Sequence, residues 1–561
     1  MIDRIDALLK RYGGTGAYAR DDQLSHRFLA EEINQLDNLA GIFPFIFLGV
    51  AVFLLNVVVS RLVTTQREQV AALKAFGYGN SAIAVHYLKL ILAIVLTGIV
   101  LGIVAGSWLG RVLSEVYVLF FRLPFLHFVL EPARVVQVSL ITLAAGILGT
   151  LAAVRNAIRL RPAEAMRPEA PALYRQTLVE RIGPRRGFST LTRMILRHIG
   201  QKPVKSSLAV LGIALAFAIL MTGRFQEDTV NFMVTLEFGL SQRDDLAVTF
   251  SEPTSITALT ELKHLPGITH GEGFRAVAVR LRSGHRAYRT AIQGLAPAGD
   301  IRRLIDTELK VIHLPAAGLV LNDYLAREIL RVQTGDTVTI EVLEGSQPVR
   351  QIPVVALVRQ FLGVGAYMDL DALNRLLGEG PTINGALLSV DAAHAEYVYQ
   401  RLKQMPRVAG TRIRHHELRS FHRMMDETML FWTSVSTVFA IIIAVGVIYN
   451  SARITLTERS RELASMRVLG FTRGEISYVL LGELVVLTVL AILPGLWLGR
   501  ALCGYIARTV QNDLYRIPLI LEPATYAFAA LVVLLAATVS ALLVRRRLDR
   551  LDLIEVLKTK E

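Results

Sequence analysis

The sequence lacks most of the features that would support enzymatic or redox chemistry. It holds a single cysteine, Cys503, which excludes a disulfide framework and any zinc site built on cysteine pairs. It has no phosphate-binding loop of the form G-x-x-x-x-G-K-[ST], no G-x-S-x-G elbow and no H-E-x-x-H pair. ATP hydrolysis, serine hydrolysis and zinc proteolysis by this chain therefore have no support.

What the sequence has in excess is apolar residues. Of the 561 residues 53% are hydrophobic and the mean hydropathy is +0.45, against roughly 45–50% apolar in soluble domains. The apolar residues are concentrated in seven stretches, each close in length to the ~20 residues that a helix needs to cross a bilayer. These stretches are 40–60, 88–112, 134–154, 205–223, 430–451, 477–502 and 524–544. The predicted fold class is an α-helical integral membrane protein of seven spans, with a large α+β extracytoplasmic domain between spans four and five.

The net charge of +14 is explained by membrane topology and not by nucleic-acid binding. Lys and Arg crowd beside span ends, which places 61–87, 155–204, 452–476 and 545–561 in the cytoplasm by the positive-inside rule. We therefore expect a multi-pass protein of a bacterial inner membrane that binds lipid and no nucleic acid. No Asp, Glu or Lys stands in mid-span at matched positions, which argues against an ion-coupled secondary transporter.

The chain contains an internal duplication. G-S-W-L-G-R at 106–111 returns as G-L-W-L-G-R at 495–500, an offset of 495 − 106 = 389. Further landmarks recur in the same order at nearly that offset: Asn56 with Asn450, Gly77 with Gly470, and L-E-P-A at 130–133 with 521–524. Each L-E-P-A predicts a helix start, with Pro in the first turn.

The duplication predicts the domain layout and an incomplete first copy. We predict an extracytoplasmic remnant at 1–38, a first three-span unit at 39–156, a basic linker with an amphipathic helix at 157–204, and a span at 205–223. An extracytoplasmic domain at 224–428, a second three-span unit at 429–546 and a cytoplasmic tail at 547–561 follow. Because the second copy has a span and an outer domain that the first lacks, we expect roughly 200 residues upstream, lost to a truncated gene model or a split gene.

Two short cytoplasmic helices stand out, one in each copy. Apolar residues recur every three positions in both, which predicts one narrow apolar face ending at a glycine. A helix lying flat on the membrane would show this pattern too, but its appearance twice favours docking to two copies of one soluble partner. The predicted docking residues are Arg67, Glu68, Val70, Leu73, Lys74 and Gly77 in the first copy, and Arg461, Glu462, Leu463, Met466, Arg467 and Gly470 in the second.

With this pattern, R-E-x-(A)-x-L-(K/R)-A-x-G, the sequence resembles the FtsX/MacB-like, or type VII, permeases of ABC transporters. L-T-R-M-I-L-R-H-I-G from 191 resembles that family's leading amphipathic helix, and V-x-x-G-D at 332–336 its outer domain. The layout resembles the subgroup with two fused permease units. The resemblance implies that ATP and Mg are bound by a separate ATP-binding subunit, in two copies, so that no cofactor belongs to this chain.

Packing between spans is predicted from small and amide residues. Gly106 and Gly110 in the first copy, and Gly495 and Gly499 in the second, suit close helix contact. Asn56 and Asn450 are candidates for bonds across helices, although an amide in contact with water explains them equally well.

The predicted outer domain mixes strands and helices. Strands are predicted around Val277–Val279–Leu281 and Val338–Ile340–Val342, and helices over 256–265, 321–330 and 397–405. Eight of the 12 histidines lie in this region, but none has ligand spacing with Cys, Asp or Glu, which favours solvated histidines over a metal site.

The resemblance implies a permease that couples ATP hydrolysis in its partner to export or extraction of a hydrophobic, lipid-linked or periplasmic substrate. The alternative is a machine that transports nothing and regulates a periplasmic enzyme or other periplasmic partner protein by mechanical signalling. The sequence motifs are shared by both.

Overall fold

A computed structural model describes residues 2–9, 12, 17–20, 23–159, 189–201, 203–297, 299–458, 460–511 and 514–549. The basic stretches around 160–167 and 551–558 lie outside these residues. The helices, in chain order, are α1 (Ile2–Leu9), α2 (Leu24–Thr65), α3 (Arg67–Ala75), α4 (Asn80–Phe121), α5 (Pro132–Arg159), α6 (Thr190–Gln201), α7 (Pro203–Val234), α8 (Thr257–Lys263), α9 (Leu370–Leu377), α10 (Ala395–Lys403), α11 (Arg414–Glu458), α12 (Ser460–Val468), α13 (Arg473–Thr509) and α14 (Pro523–Asp549).

Six helical stretches of the described chain are long and apolar enough to cross a membrane. They are Asn80–Phe121, Pro132–Arg155, Ser206–Ser241, Leu430–Arg453, Arg473–Thr509 and Pro523–Arg546. The span predicted at 40–60 falls within α2, where the apolar stretch Pro44–Ser60 is shorter than these six. A multi-pass membrane protein is confirmed, and the seventh span stays a prediction.

The chain divides into two compact units. The first combines Met1–Asp37, Gln226–Glu427 and Gly504–Ile520, and the second combines Asn38–Phe225, Thr428–Cys503 and Leu521–Glu561. Among the described residues, the first unit holds the strands and the second holds most of the length of the long apolar helices.

The first unit is built on one nine-stranded sheet. Its strands are β1 (Leu246–Ser255), β2 (Ile268–Ser283), β3 (Arg286–Leu295), β6 (Leu319–Asn322), β7 (Thr337–Val342), β8 (Val349–Val358), β9 (Ala366–Asp369), β10 (Thr382–Val390) and β11 (Val408–Ile413), and β4 (Leu304–Ile305) with β5 (Val311–Ile312) forms a separate pair. The order is β11-β1-β10-β2-β3-β9-β6-β8-β7, and β7 also pairs with β2 over Arg282↔Thr339 to Val279↔Val342. Six strands therefore close into a ring, and β2 continues out of it into an open sheet with β10, β1 and β11.

Each part of the sheet has its own apolar core. Val277, Val279 and Leu281 point into the ring, where they are buried with Val338 and Ile340. This confirms the alternation read from the sequence, since successive side chains of a strand face opposite ways. The open sheet is covered by α8 and α10, whose Leu259, Leu262, Val398 and Leu402 form the second core.

One predicted element of this unit is wrong in part. A single helix was expected over 321–330, but β6 runs through Asn322 and a π-helical turn occupies Leu325–Leu330. The backbone takes φ 54° at Arg331, where the turn ends. Leu325 and Leu330 seal the ring core, so burial fixes this wider turn in place of an α-helix.

In the second unit, α3 and α5 pack on α2 and α4. Val59, Val70, Tyr87, Ile91 and Val154 share one buried cluster. Helices α5 and α14 each begin at the proline of L-E-P-A, as predicted, because proline at the first helical position loses no hydrogen bond.

Candidate coupling and transmission sites

The short helices α3 and α12 end in the same way. Gly77 has φ 89° and Gly470 has φ 97°, the left-handed region that favours glycine. The amide of Tyr78 donates to the carbonyl of Leu73 at 3.1 Å, and the amide of Phe471 donates to Met466 at 3.1 Å. With the glycine amides donating to Lys74 and Arg467, this is a Schellman C-cap in both copies.

The inner side of each short helix is held within its own unit. Val70 is buried in the first copy, where the ammonium of Lys74 donates to the backbone carbonyl of Ile158 near the end of α5. Ala464 and Met466 are buried in the second copy. Val70 and Met466 therefore support the helices, and a docking partner would not reach them.

The outer side of each short helix is apolar and exposed at its C-terminal end. Phe76 is 83% exposed beside Leu73 and Tyr78, and Leu469 is 77% exposed beside Val468. The single narrow apolar face expected from the sequence is thus split, because each helix ends before its last apolar residue. The side chains of Arg461, Glu462 and Leu463 lie outside the described residues, and docking at either helix stays a prediction.

The predicted packing residues behave differently in the two copies. Asn56 donates to the carbonyl of Gly149, which joins α2 to α5, whereas Asn450 is half-buried with no such bond among the described contacts. Gly495 and Gly499 are buried, but Gly106 is exposed. Gly110 is covered by the ring of Phe128 from the following loop.

Sequence reasoning missed an ionic cluster at the start of β1 and the end of β11, here called the base cluster: Asp244, Asp245, Arg412 and Arg414. The guanidinium of Arg412 lies 3.1 Å from Oδ2 of Asp244, whose side chain is fully buried. Arg414 lies 3.3 Å from Oδ1 of Asp245 and donates to the carbonyl of Phe238 at 2.9 Å. The segment preceding β1 is thereby tied to the end of β11 and the start of α11.

A second tie, here called the latch, joins the 514–516 segment to the loop 359–365 between β8 and β9. Nε of Arg516 donates to the carbonyl of Gln360 at 2.6 Å, and its Nη2 donates to the carbonyl of Gly363. The amide of Gly363 donates to Leu514 at 2.7 Å, and Tyr324 places its ring 5.4 Å from the guanidinium carbon. Arg516 thus binds the backbone of a loop that is far away in the sequence.

A buried contact between a histidine and a glutamate in the second unit was also missed. Nδ1 of His198, on α6, lies 3.0 Å from Oε2 of Glu483, on α13, although the two atoms are not aligned as a hydrogen bond. Thr455 of α11 donates to the other oxygen of Glu483 at 3.3 Å. No local pattern links these positions, because their helices are far apart in the sequence.

The histidines form no metal cluster with Cys, Asp or Glu among the described residues. His415 and His416 lie in the first turn of α11.

Known proteins share the repeated units of this chain. The family model described as FtsX-like permease C-terminal matches twice, at residues 41–162 and 434–553. A permease of Mycobacterium tuberculosis described as the uncharacterized ABC transporter permease protein Rv0987 is 30% identical over 135 residues, which are 23% of this chain and 15% of that protein. The chain thus matches only a small part of that relative's length.

Two solved structures resemble parts of the chain. The extracellular domain of the noncanonic ABC-type transporter YknZ from Gram-positive bacteria matches at 13% identity and a TM-score of 0.22, covering 28% of this chain and 87% of that one. The periplasmic region of MacB from Actinobacillus actinomycetemcomitans matches at 10% identity and a TM-score of 0.25, covering 34% and 98%.

Proposed function

The chain belongs to the FtsX-like permeases and carries that family's C-terminal module twice, and on this premise we propose that it is the membrane subunit of an ABC transporter driven by a separate ATPase. It works in the cell membrane, where its partner hydrolyses ATP and it moves or extracts a hydrophobic, lipid-linked or periplasmic substrate.

The observation that carries this proposal is the pair of exposed apolar turns at Phe76 and Leu469. Each follows a helix whose other side is anchored in the second unit, and each ends in the same glycine cap. Exposed apolar groups at the end of a fixed element are suited to a pocket on a partner protein. Two equivalent turns fit two copies of one ATPase.

The base cluster supports a mechanical route to the outer domain. Asp244, just before β1, pairs with Arg412 near the end of β11, and β11 runs directly into α11, so a displacement of α11 pulls on the start of β1. Mechanical signalling to a periplasmic enzyme uses this same route, and it remains the second candidate.

The docking proposal is tested by expressing the chain together with an ABC ATPase of its source organism that co-purifies with it. Phe76→Asp combined with Leu469→Asp should abolish co-purification, because a charge replaces the apolar contact in both turns. Tyr397→Asp, at an exposed site on α10, is the matched control and should retain the ATPase. The docking site is wrong if the double variant keeps its ATPase.

The two candidate functions separate after reconstitution with that ATPase in lipid vesicles. ATP-dependent transfer of lipid or lipoprotein out of the vesicle supports transport. Signalling is supported if ATP changes hydrogen exchange in the outer domain and releases nothing.

A further inference from the structure

A cavity of about 450 Å³, here called the inner cavity, lies in the second unit between α6, α13 and the end of α14. Protein pockets that hold small ligands commonly measure about 300–1,000 Å³. Ile195 of α6 and Leu481 and Val485 of α13 line the inner cavity with apolar groups, and α14 contributes Arg545. This lining suits a molecule with a long apolar part and a negatively charged group.

Two contacts between α6 and α13 hold the walls of the inner cavity in place. A methyl group added at Gly482 would lie 2.6 Å from Cδ1 of Ile195, so glycine lets the two helices approach closely at this point. The hydroxyl groups of Thr192 and Tyr478 lie 3.3 Å apart and join the same two helices. The inner cavity is therefore a preformed gap beside fixed contacts, as is usual for a ligand site.

A buried hydroxyl group in the wall of the inner cavity has no partner. Ser477 is only 7% exposed and lines the cavity, and its hydroxyl makes no hydrogen bond within the part of the chain that the structure describes. Buried polar groups in proteins are nearly always hydrogen-bonded. The hydroxyl of Ser477 therefore indicates that a polar group of a ligand completes this wall.

The charge of Arg545 is also unmatched. Arg545 is exposed and forms no ion pair with any described residue. The two glutamates of α13 that neighbour the lining in sequence are engaged elsewhere. Glu475 accepts from the amide and the hydroxyl of Thr472 at 2.8 and 2.9 Å, and Glu483 accepts from Thr455 at 3.3 Å. An anionic ligand would supply the charge that Arg545 lacks.

The inner cavity lies at the level of the cytoplasmic leaflet and opens on the surface that faces lipid. The positive-inside rule places the start of α13 and the end of α14 on the cytoplasmic side. Val485 lines the cavity and is itself exposed, and the exposed residues Val489 and Leu493 follow it at intervals of four along α13. Residues at this spacing share one face of a helix, so the apolar wall continues into the outer face of this span.

We propose that the inner cavity binds an anionic phospholipid of the cytoplasmic leaflet. Its phosphate pairs with Arg545, the hydroxyl of Ser477 donates to an ester oxygen, and an acyl chain lies against Leu481 and Val485. Basic pockets between spans on the cytoplasmic side are suited to anionic headgroups. The lipid is a resident ligand of the second unit, and the inference does not rest on the proposed transport function.

The observations favour a lipid over a peptide segment as the occupant. A peptide would have to bury backbone amides and carbonyls against apolar walls, and each of these groups is costly to bury without a hydrogen bond. An acyl chain has no such groups, and the cavity wall already runs into the surface where acyl chains lie.

The test measures the binding of phosphatidylglycerol to the full chain in detergent by native mass spectrometry, with phosphatidylethanolamine as the zwitterionic comparison. The charge variant is Arg545→Ala. Its matched control is Arg546→Ala, which removes the same charge at the next position, also exposed but outside the lining of the cavity. Leu481→Trp is a second variant, which fills the cavity and leaves every charge in place.

Arg545→Ala should weaken the binding of phosphatidylglycerol by about tenfold, as expected for the loss of one charge-assisted hydrogen bond, and Arg546→Ala by less than about twofold. Arg545→Lys should retain most of the binding, because it keeps the charge. Leu481→Trp should weaken binding at least as much as Arg545→Ala. Phosphatidylethanolamine should bind more weakly than phosphatidylglycerol, and glycerol 3-phosphate, which has no acyl chains, should not compete.

Several outcomes would overturn the proposal. Equal weakening by Arg545→Ala and Arg546→Ala would mean that lipid is attracted only to the basic surface. Competition by glycerol 3-phosphate would make the inner cavity a site for free anions. Displacement of the lipid by a synthetic peptide with the sequence of residues 160–188 would make that segment the occupant. Unchanged binding in Leu481→Trp would place the acyl chain outside the cavity, and if this variant fails to fold, the comparison at the exposed positions 545 and 546 still decides.

Discussion

Removing the arginine of the latch should loosen the loop 359–365. Arg516→Ala deletes two charge-assisted hydrogen bonds to the carbonyls of Gln360 and Gly363. Such bonds contribute about 1.5–3 kcal/mol each, and Arg516 is only half-buried, so we take the lower end. The expected loss is about 3 kcal/mol of local opening free energy, on the order of 100-fold in the opening equilibrium.

Hydrogen exchange of the full chain in lipid nanodiscs measures this loss directly. The amide of Gly363, which donates to Leu514, should exchange on the order of 100-fold faster when exchange follows the opening equilibrium. The matched control is Arg122→Ala, the same change at the counterpart position in the first copy. Unchanged exchange at Gly363 in the Arg516 variant, or equal acceleration in the control, would refute the reasoning.

Three further predictions concern single groups. Burial raises the pKa of Glu344 above its ordinary 4.5, so the native state binds this proton more tightly than the unfolded state does. The free energy of unfolding therefore falls as pH rises from about 4.5 to the raised pKa. Pulse proteolysis should show a smaller fall for Glu344→Gln, and an unchanged dependence of stability on pH would contradict the prediction. Glu483→Ala removes the acceptor of the Thr455 hydroxyl and the carboxylate beside His198, and should destabilise the second unit by about 1–3 kcal/mol, seen as a lower melting temperature in detergent, whereas an unshifted melting temperature would show that this buried contact contributes nothing. Gly77→Ala and Gly470→Ala each place an alanine in the left-handed region and should each lower the local stability of the helix end by about 1–2 kcal/mol. Amide hydrogen exchange in α3 and α12 should then rise equally, and a rise in only one helix would argue against equivalent caps.

The features that could be predicted from the sequence are those written in local patterns. Alternating apolar residues located β2 and β7, L-E-P-A located the starts of α5 and α14, and glycines located the ends of α3 and α12. Each follows from a few neighbouring residues and a fixed backbone geometry.

The features that could not be predicted depend on partners far away in the chain. Arg516 meets Gln360, and Glu483 meets His198, only after the chain has folded. The split of the apolar face on α3 had a different cause. If the helix continued, apolar residues at every third position would place Val70 and Phe76 on one face. However, α3 ends at Ala75, so Phe76 is exposed while Val70 is buried.

The inequality of the two copies has a consequence for how they would be driven. In the second copy, α12 follows α11 directly, and α11 begins at Arg414 in the base cluster, so a force on Leu469 has a covalent route to the outer domain. In the first copy, Phe76 follows α3 and α2, and α2 begins within the first unit, where Arg27 donates at 3.0 Å to Tyr288 of β3, a different strand from β1 and β11. If the proposed ATPase docks at both turns, Leu469→Asp alone should abolish ATP-dependent exchange changes in β1 and β11, whereas Phe76→Asp alone should reduce them by about half, through loss of one of two docking sites. If both single variants lost the ATP-dependent exchange changes completely, the two copies would have to move together. A separate route through α11 would then be wrong.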